Sequence, residues 1–210
     1  MRQVPLGEKR RDAIADAAIH LVATRGLRGL THRAVDAEAG LPPGSTSYYL
    51  STRKALLTAC LDRMLAQDAG AAVPVDPEVD PLDLLVAMMV HMARERPEGQ
   101  VARYELALEA TRDPEIRAVM HQHARQLRAI LARILDRVGI PDPEQAAWPV
   151  AAMLDGLLRD RVAGLGATLT DAAFEASGRR TVSALLRGLT SPGELTNRAE
   201  RVGRKHLGQK

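Results

Sequence analysis

The sequence predicts an all-α protein, on three observations. Aromatic residues make up only 2% of the 210-residue chain, and Ala, Leu and Arg are abundant, a composition that favours helix over sheet. Apolar residues recur at helical spacing through most of the chain, and no run shows the alternation of a half-buried strand. Proline and glycine then punctuate the periodic stretches at the places where helices should start or stop.

The first helix is expected from Glu8 to Ala23, with Ile14, Ala17, Ala18 and Leu21 on one face and Arg25-Gly26 as its end. Thr31 offers an N-cap for a short helix, His32 to Ala39, which Gly40 closes. Leu41-Pro42-Pro43-Gly44 cannot be helix interior, and a third short segment follows over Pro43 to Leu50. Thr52 caps a fourth helix, on which Leu57, Cys60, Leu61, Met64 and Leu65 share a face. Ala69 to Pro81 holds three prolines and reads as a loop. Asp80-Pro81 starts a fifth helix carrying Leu84, Leu85, Met88, Met89 and Met92. A sixth covers Pro97 to Thr111, and Asp113-Pro114 starts a seventh that reaches Val138. An eighth is expected from Pro143 to Leu165 and a ninth from Asp171 to Leu189. The remaining tail is polar and basic and reads as flexible.

Composition narrows the function classes. Apolar residues are 46% and charged residues 26%, as in ordinary soluble proteins, which excludes wholesale disorder and collagen-like sequence. The single cysteine, Cys60, excludes an intrachain disulfide. Met1 to Arg11 is charged and lacks the apolar block of a signal peptide. The longest apolar run, Leu84 to Val90, is far short of the ~20 residues of a membrane span. A soluble, cytoplasmic protein with no membrane partner is expected.

The net charge of +3 is unevenly divided. Residues 1–67 hold ten Lys/Arg against six Asp/Glu, and residues 68–190 hold fourteen against eighteen. A basic head on an acidic body suits a polyanionic partner, although a solvated surface with chance asymmetry accounts for it equally well.

Three short helices within about 45 residues, with a glycine-bearing turn before the third, have the pattern of a helix-turn-helix unit. The second helix of such a motif enters the major groove while the first braces it. Gly44 to Tyr49 supply suitable chemistry. Ser45, Thr46 and Ser47 can bond base edges or phosphates, and Tyr48 and Tyr49 can offer hydroxyls or pack their rings. Adjacent residues on a helix diverge by ~100°, so one tyrosine should pack and the other reach DNA, with Tyr49 expected at phosphate. Arg53 adds a cation beside the N–H groups of the next helix. His32 and Arg53 are expected at DNA, with plain solvated surface as the alternative for each. Lys9, Arg10 and Arg11 could reach the adjacent backbone or simply start a solvated helix.

Thr31-His32-Arg33-Ala34-Val35-Asp36-Ala37-Glu38-Ala39-Gly40, followed by Gly44 to Leu57, resembles the DNA-binding domain of the tetracycline-repressor (TetR) family. The likeness covers residues 8–65 and continues in Arg103-Tyr104-Glu105-Leu106, in Arg112 to Arg117 and in Met153 to Arg159. It implies that Thr31 caps the second helix and touches the backbone, that Arg33 faces DNA, and that Tyr49 and Arg53 bind phosphate. Four positions depart from the family pattern. Ser47 and Leu50 stand where aromatics are usual, Pro42 where a capping serine is usual, and Asp36 where an alanine is usual.

The resemblance implies a division into residues 1–52 for double-stranded DNA, residues 53–190 for ligand binding and dimerisation, and the tail 191–210. It implies an inducer pocket among the fourth to eighth helices, for which Met64, Met88, Met92, Tyr104, Met120 and Trp148 are candidates. Ordinary core is the alternative for each of them. It also implies a homodimer through the last two helices, whose seams carry Val150, Leu154, Leu157 and Leu158 on one and Leu185 and Leu186 on the other. Intramolecular core is the alternative there. The function implied is a ligand-responsive transcriptional regulator, a repressor released from a pseudo-palindromic operator by a small-molecule inducer. No cofactor is expected.

Two other classes compete. An enzyme lacks support, because no Gly-rich phosphate loop, nucleophile elbow or HExxH occurs. His121 and His123 point about 200° apart on a helix and read as surface residues rather than a metal pair. A helical protein–protein adaptor without DNA binding remains the alternative, and steep salt dependence on mixed DNA would separate the two.

Overall fold

The computed structural model describes residues 6–71 and 79–190. Most of the expected loop and the whole basic tail lie outside the described residues, which form nine α-helices and no strand. They are α1 (Leu6–Gly29), α2 (His32–Glu38), α3 (Ser45–Tyr49), α4 (Arg53–Ala71), α5 (Pro81–Arg94), α6 (Pro97–Glu109), α7 (Pro114–Arg137), α8 (Pro143–Ala163) and α9 (Asp171–Thr190).

Side-chain caps from the preceding residue set five of the starts, among them Thr170 ahead of α9, whose hydroxyl accepts from the Ala173 N–H at 3.2 Å. The Thr31 hydroxyl accepts from the Ala34 N–H at 3.1 Å, and the Thr52 hydroxyl accepts from the Ala55 N–H at 3.0 Å. Asp80 accepts from Leu82 N–H, and Asp113 from the N–H groups of Glu115 and Ile116. Each replaces a partner that the first turn lacks, worth ~1 kcal/mol.

Several helix boundaries differ from expectation: α3 starts at Ser45 rather than Pro43, α4 runs on to Ala71, α6 stops at Glu109 rather than Thr111, and the ends of α1 and α8 differ as well. α1 runs past Ala23, and its backbone leaves helical geometry at Gly26 (φ 66°, ψ 178°) before one further turn. α8 stops at Ala163 and gives way to a 3₁₀ turn, Leu165–Thr168. Asp160 and Arg161 cause that stop. The Asp160 carboxylate accepts from Gly166 N–H at 2.9 Å, and the Arg161 guanidinium donates to the carbonyls of Gly166 and Leu169 and to Asp171. The chain therefore folds back over the helix end.

The first apolar core joins α1–α4 to α6 and α7. Ile14, Leu21, Val35, Leu57 and Cys60 meet Leu106 and Ile116 there. The packing does not break at residue 52. A second core lies among α5, α7, α8 and α9 around Leu85, Leu135, Val150 and Val182. Cys60 is 1% exposed, and burial pushes its thiol up to about 12. Thiolate is the reactive form, so a disulfide reagent should leave the native protein unlabelled at pH 8 and label it on unfolding. Fast labelling of the native state would contradict this packing.

Candidate DNA interface and ligand cavity

The turn between α2 and α3 is built on Asp36. Gly40 (φ 62°) ends α2 and Gly44 (φ 91°) precedes α3, both in the left-handed region that glycine enters without strain. Gly44 has no side chain to cap α3. The Asp36 carboxylate does so instead, accepting from Gly44 N–H and Thr46 N–H, each at 2.7 Å. Burial alone would raise the Asp36 pKa, but its hydrogen bonds with Thr46 and Gly44 outweigh that, and it lies below its ordinary value. Two departures from the family pattern thus compensate: the cap absent at Pro42 comes from the acid at position 36.

The expected DNA-facing residues separate into two groups. Arg33, Ser47 and Tyr48 are exposed, Tyr48 to 82%. Thr31 and Gly44 are exposed at the helix starts. The others are engaged within the motif. Thr46 is wholly buried, which corrects its reading as a DNA contact, because its side chain cannot reach a base edge. Tyr49 is half-buried against the first core, and its ring meets Tyr48 edge-on at 5.0 Å. The packed ring is therefore Tyr49 and the outward one Tyr48, the reverse of the expectation. A His32 ring nitrogen lies 2.7 Å from the Leu50 carbonyl, and the Ser45 hydroxyl donates to the Pro42 carbonyl at 2.6 Å. Arg53 donates to the carbonyls of Leu27 and Leu30, each at 3.3 Å, tying the start of α4 to the end of α1.

In the second half, a cavity of about 260 Å³ opens between α4, α6, α7 and α8. Met64, Met120 and Trp148 line it, with Trp148 60% exposed at its mouth. A deeper chamber of about 50 Å³ lies against α5 and is lined by Met88 and Met92. Arg103, Leu127, Ala151 and Asp155 border both spaces, so the two adjoin. Tyr104 lines neither, which corrects its assignment: its hydroxyl points to α8 and donates to the Asp155 carbonyl at 3.3 Å.

Polar residues that periodicity could not reveal stand in these walls. His123 is buried, which corrects its reading as a surface residue, whereas His121 is exposed. His123 Nε2 lies 3.2 Å from Asp62 of α4. Burial lowers its pKa against the pull of Asp62, with Arg103 adding to the lowering. Burial likewise raises the Asp155 carboxyl, opposed by Arg103. Gln100 borders the deeper chamber at 1% exposure, with neither amide atom hydrogen-bonded.

Of the expected dimer residues, Val150, Leu158 and Leu186 are buried within the chain, which corrects their assignment: they face the intramolecular core. Leu154, Leu157 and Leu185 are half-buried.

Residues 76–192 match the family described as "Tetracyclin repressor-like, C-terminal domain". The chain belongs to the TetR family. A TetR-family member from Streptomyces coelicolor A3 is 34% identical, with 84% of this chain and 98% of that one aligned and a TM-score of 0.67. The multidrug binding protein EbrR, solved with ethidium, is also 34% identical over 84% of this chain and 98% of its own, with a TM-score of 0.61. Among curated relatives, the HTH-type transcriptional regulator BetI of Rhizobium meliloti (strain 1021) is 28% identical over 162 residues, 75% of this chain and 80% of BetI. As a TetR-family protein, this chain is a ligand-responsive, DNA-binding transcriptional regulator. No helix among its described residues is long and apolar enough to cross a membrane.

Proposed function

We propose that this TetR-family regulator is a cytoplasmic repressor that binds a pseudo-palindromic operator as a homodimer and leaves it when a small molecule fills the cavity. One observation carries the reading. α4 follows the helix-turn-helix motif directly and also supplies Leu61, Met64 and Leu65 to the cavity wall. Residues 1–52 would act as the reader and residues 53–190 as the sensor and dimer partner. EbrR, a multidrug binding protein solved with small molecules, supports a ligand for the equivalent part of this chain.

Arg33, Ser47 and Tyr48 are the residues that reach the DNA, because they face outward while their neighbours hold the motif together. The exposed Thr31 hydroxyl, which accepts from Ala34 N–H, still has its own O–H to donate to a phosphate. The partner subunit docks on the outer side of α8 and α9, where Leu157 and Leu185 remain half-covered beside the small residues Gly156, Ala184 and Gly188. An isologous pairing of this kind presents two identical motifs to two half-sites.

Selection of bound sites from a random DNA library tests the reading, with the mass of the complex measured on the same sample. A pseudo-palindrome occupied by two chains is expected. Tyr48→Ala should weaken operator binding about tenfold or more and leave the melting temperature unchanged, because the ring is already in solvent. Tyr49→Ala should lower the melting temperature. Equal operator affinity in wild type and Tyr48→Ala would remove Tyr48 from the interface. No enrichment at low salt would sink the operator reading.

A further inference from the structure

Gln100 is the least explained residue of the ligand cavity. Its side chain is buried, and neither amide atom has a hydrogen-bond partner. A buried polar group left in that state is a cost that folded proteins rarely carry without a use. Gln100 lies in the first turn of α6 and borders the chamber of about 50 Å³ that adjoins the larger cavity. Much of the remaining wall comes from Met88, Met89 and Met92 of α5, Leu131 of α7 and Leu158 of α8. A thioether is a weak acceptor and leucine offers nothing, so these residues cannot satisfy an amide. Its donor and its acceptor are both open to whatever enters the chamber.

Charge does not choose the occupant. Arg103 and Asp155 stand where the two spaces meet, opposite in sign, and Arg103 pulls the Asp155 carboxyl down against the effect of burial. An ionised head group would pass into a chamber walled largely by thioether and aliphatic side chains, at a desolvation cost that a neutral group largely escapes. Hydrogen-bond matching chooses instead. Gln100 presents an N–H and a C=O side by side. A carboxylate, ketone or ester accepts from Nε2 and leaves Oε1 unpaired. An ammonium donates to Oε1 and leaves Nε2 unpaired. A hydroxyl must serve both from a single oxygen. A carboxamide or lactam turns its C=O to Nε2 and its N–H to Oε1, and satisfies both at once.

We propose, building on the regulator reading above, that the cavity takes a small neutral ligand with a carboxamide, lactam or ureide head and an apolar body. The head pairs with Gln100 in the inner chamber through two hydrogen bonds. The body lies in the outer space of about 260 Å³, against Met64, Met120 and Trp148.

Three probes of nearly one shape test the assignment in the full-length protein: 3-phenylpropanamide, 4-phenylbutan-2-one and 3-phenylpropanoate, compared by titration calorimetry at neutral pH. The ketone keeps the amide's acceptor and puts a methyl in place of its NH2. The carboxylate has acceptors only and adds a charge. The amide should bind about tenfold or more tightly than either, the ratio expected when one buried hydrogen bond is lost and its partner left unpaired. Gln100→Met keeps the length of the side chain and removes both polar atoms. It should cut the preference for amide over ketone by about tenfold, while holding or raising the melting temperature of the ligand-free protein. A lower melting temperature with an unchanged preference would assign the Gln100 amide to the fold or to a trapped water, and overturns the proposal. Should Gln100→Met fail to fold, the three wild-type affinities still decide. Equal binding of all three probes, tighter binding of the ketone or the carboxylate, or no binding of the amide at millimolar concentration also overturns it. Operator binding of the wild type is measured separately without probe, so failure of the ligand class is not confused with failure of the regulator reading.

Discussion

Replacing Asp36 with alanine is expected to unfold the α2–α3 motif and abolish operator binding. α3 has five residues, too few to persist in water without tertiary support. Its start is held by one carboxylate that accepts two main-chain N–H groups at 2.7 Å. Asp36→Ala removes both bonds and leaves the two donors unpaired, one of them in a buried residue. Two charge-assisted bonds of this kind make the cost about 2–4 kcal/mol. Asp36→Asn is expected to do nearly as badly, because an amide offers one acceptor where two donors converge. The pH dependence has a definite sign. The folded carboxyl lies below its ordinary value of 3.8, so its contribution is complete at neutral pH and fades as pH falls through and below that value. Thermal melts of wild type and Asp36→Ala should therefore differ widely at pH 7 and converge in acid. Coincident melts at pH 7 would show that α3 is held by something else.

The caps were the most legible feature of the sequence. Thr31, Thr52, Asp80 and Asp113 each start a helix where they were expected to, because a cap and the turn that it serves are neighbours in the chain. Contacts between distant residues were not legible in this way. Asp36 looked like a departure from the family pattern, and its purpose emerges only when Gly44 and Thr46 fold back onto it. The end of α8 was misplaced because Arg161 gathers carbonyls from the following turn, which no local propensity encodes. Met64, Met120 and Trp148, candidates that came from the family resemblance, line one cavity, and Met88 and Met92 line the chamber beside it. Gln100 and His123 were not foreseen, because a polar residue in a helical sequence reads as surface whether or not the fold covers it. The seams of α8 and α9 show the converse limit. Apolar spacing marks a buried face, but it cannot say whether this chain or a second copy buries it, and Val150, Leu158 and Leu186 turned inward.

Replacing Arg63 with alanine is expected to disconnect the cavity from the DNA-binding head while leaving each able to bind its ligand. Arg63 lies on α4 between the cavity residues Leu61 and Met64. Its Nε and Nη2 donate to the two carboxylate oxygens of Asp16 at 2.8 Å each, and Nη1 donates to Asp12 at 3.0 Å. Gln67, one turn later, donates to Asp16 at 2.7 Å. The tie fixes α4 against α1, so a ligand that displaced α4 would carry α1 with it. Its contribution to stability is small, about 1 kcal/mol, because all three ionic side chains are partly exposed and screened by water. Its contribution to coupling is larger. Allosteric pairs commonly exchange ~1–3 kcal/mol, and that exchange needs an element whose position both sites bias. In Arg63→Ala the ligand still enters the cavity and shifts α4, but α1 no longer follows it in full. The expected result is near-normal affinity for operator and for a small-molecule probe that fills the cavity, each measured singly. The factor by which saturating probe weakens operator binding should fall toward one. Anisotropy titrations with and without probe give that factor, and linkage requires operator DNA to change the probe affinity by the same ratio. An unchanged factor would mean that the signal passes by another contact, with α6 the next candidate because it packs against α1 and also lines the cavity through Arg103.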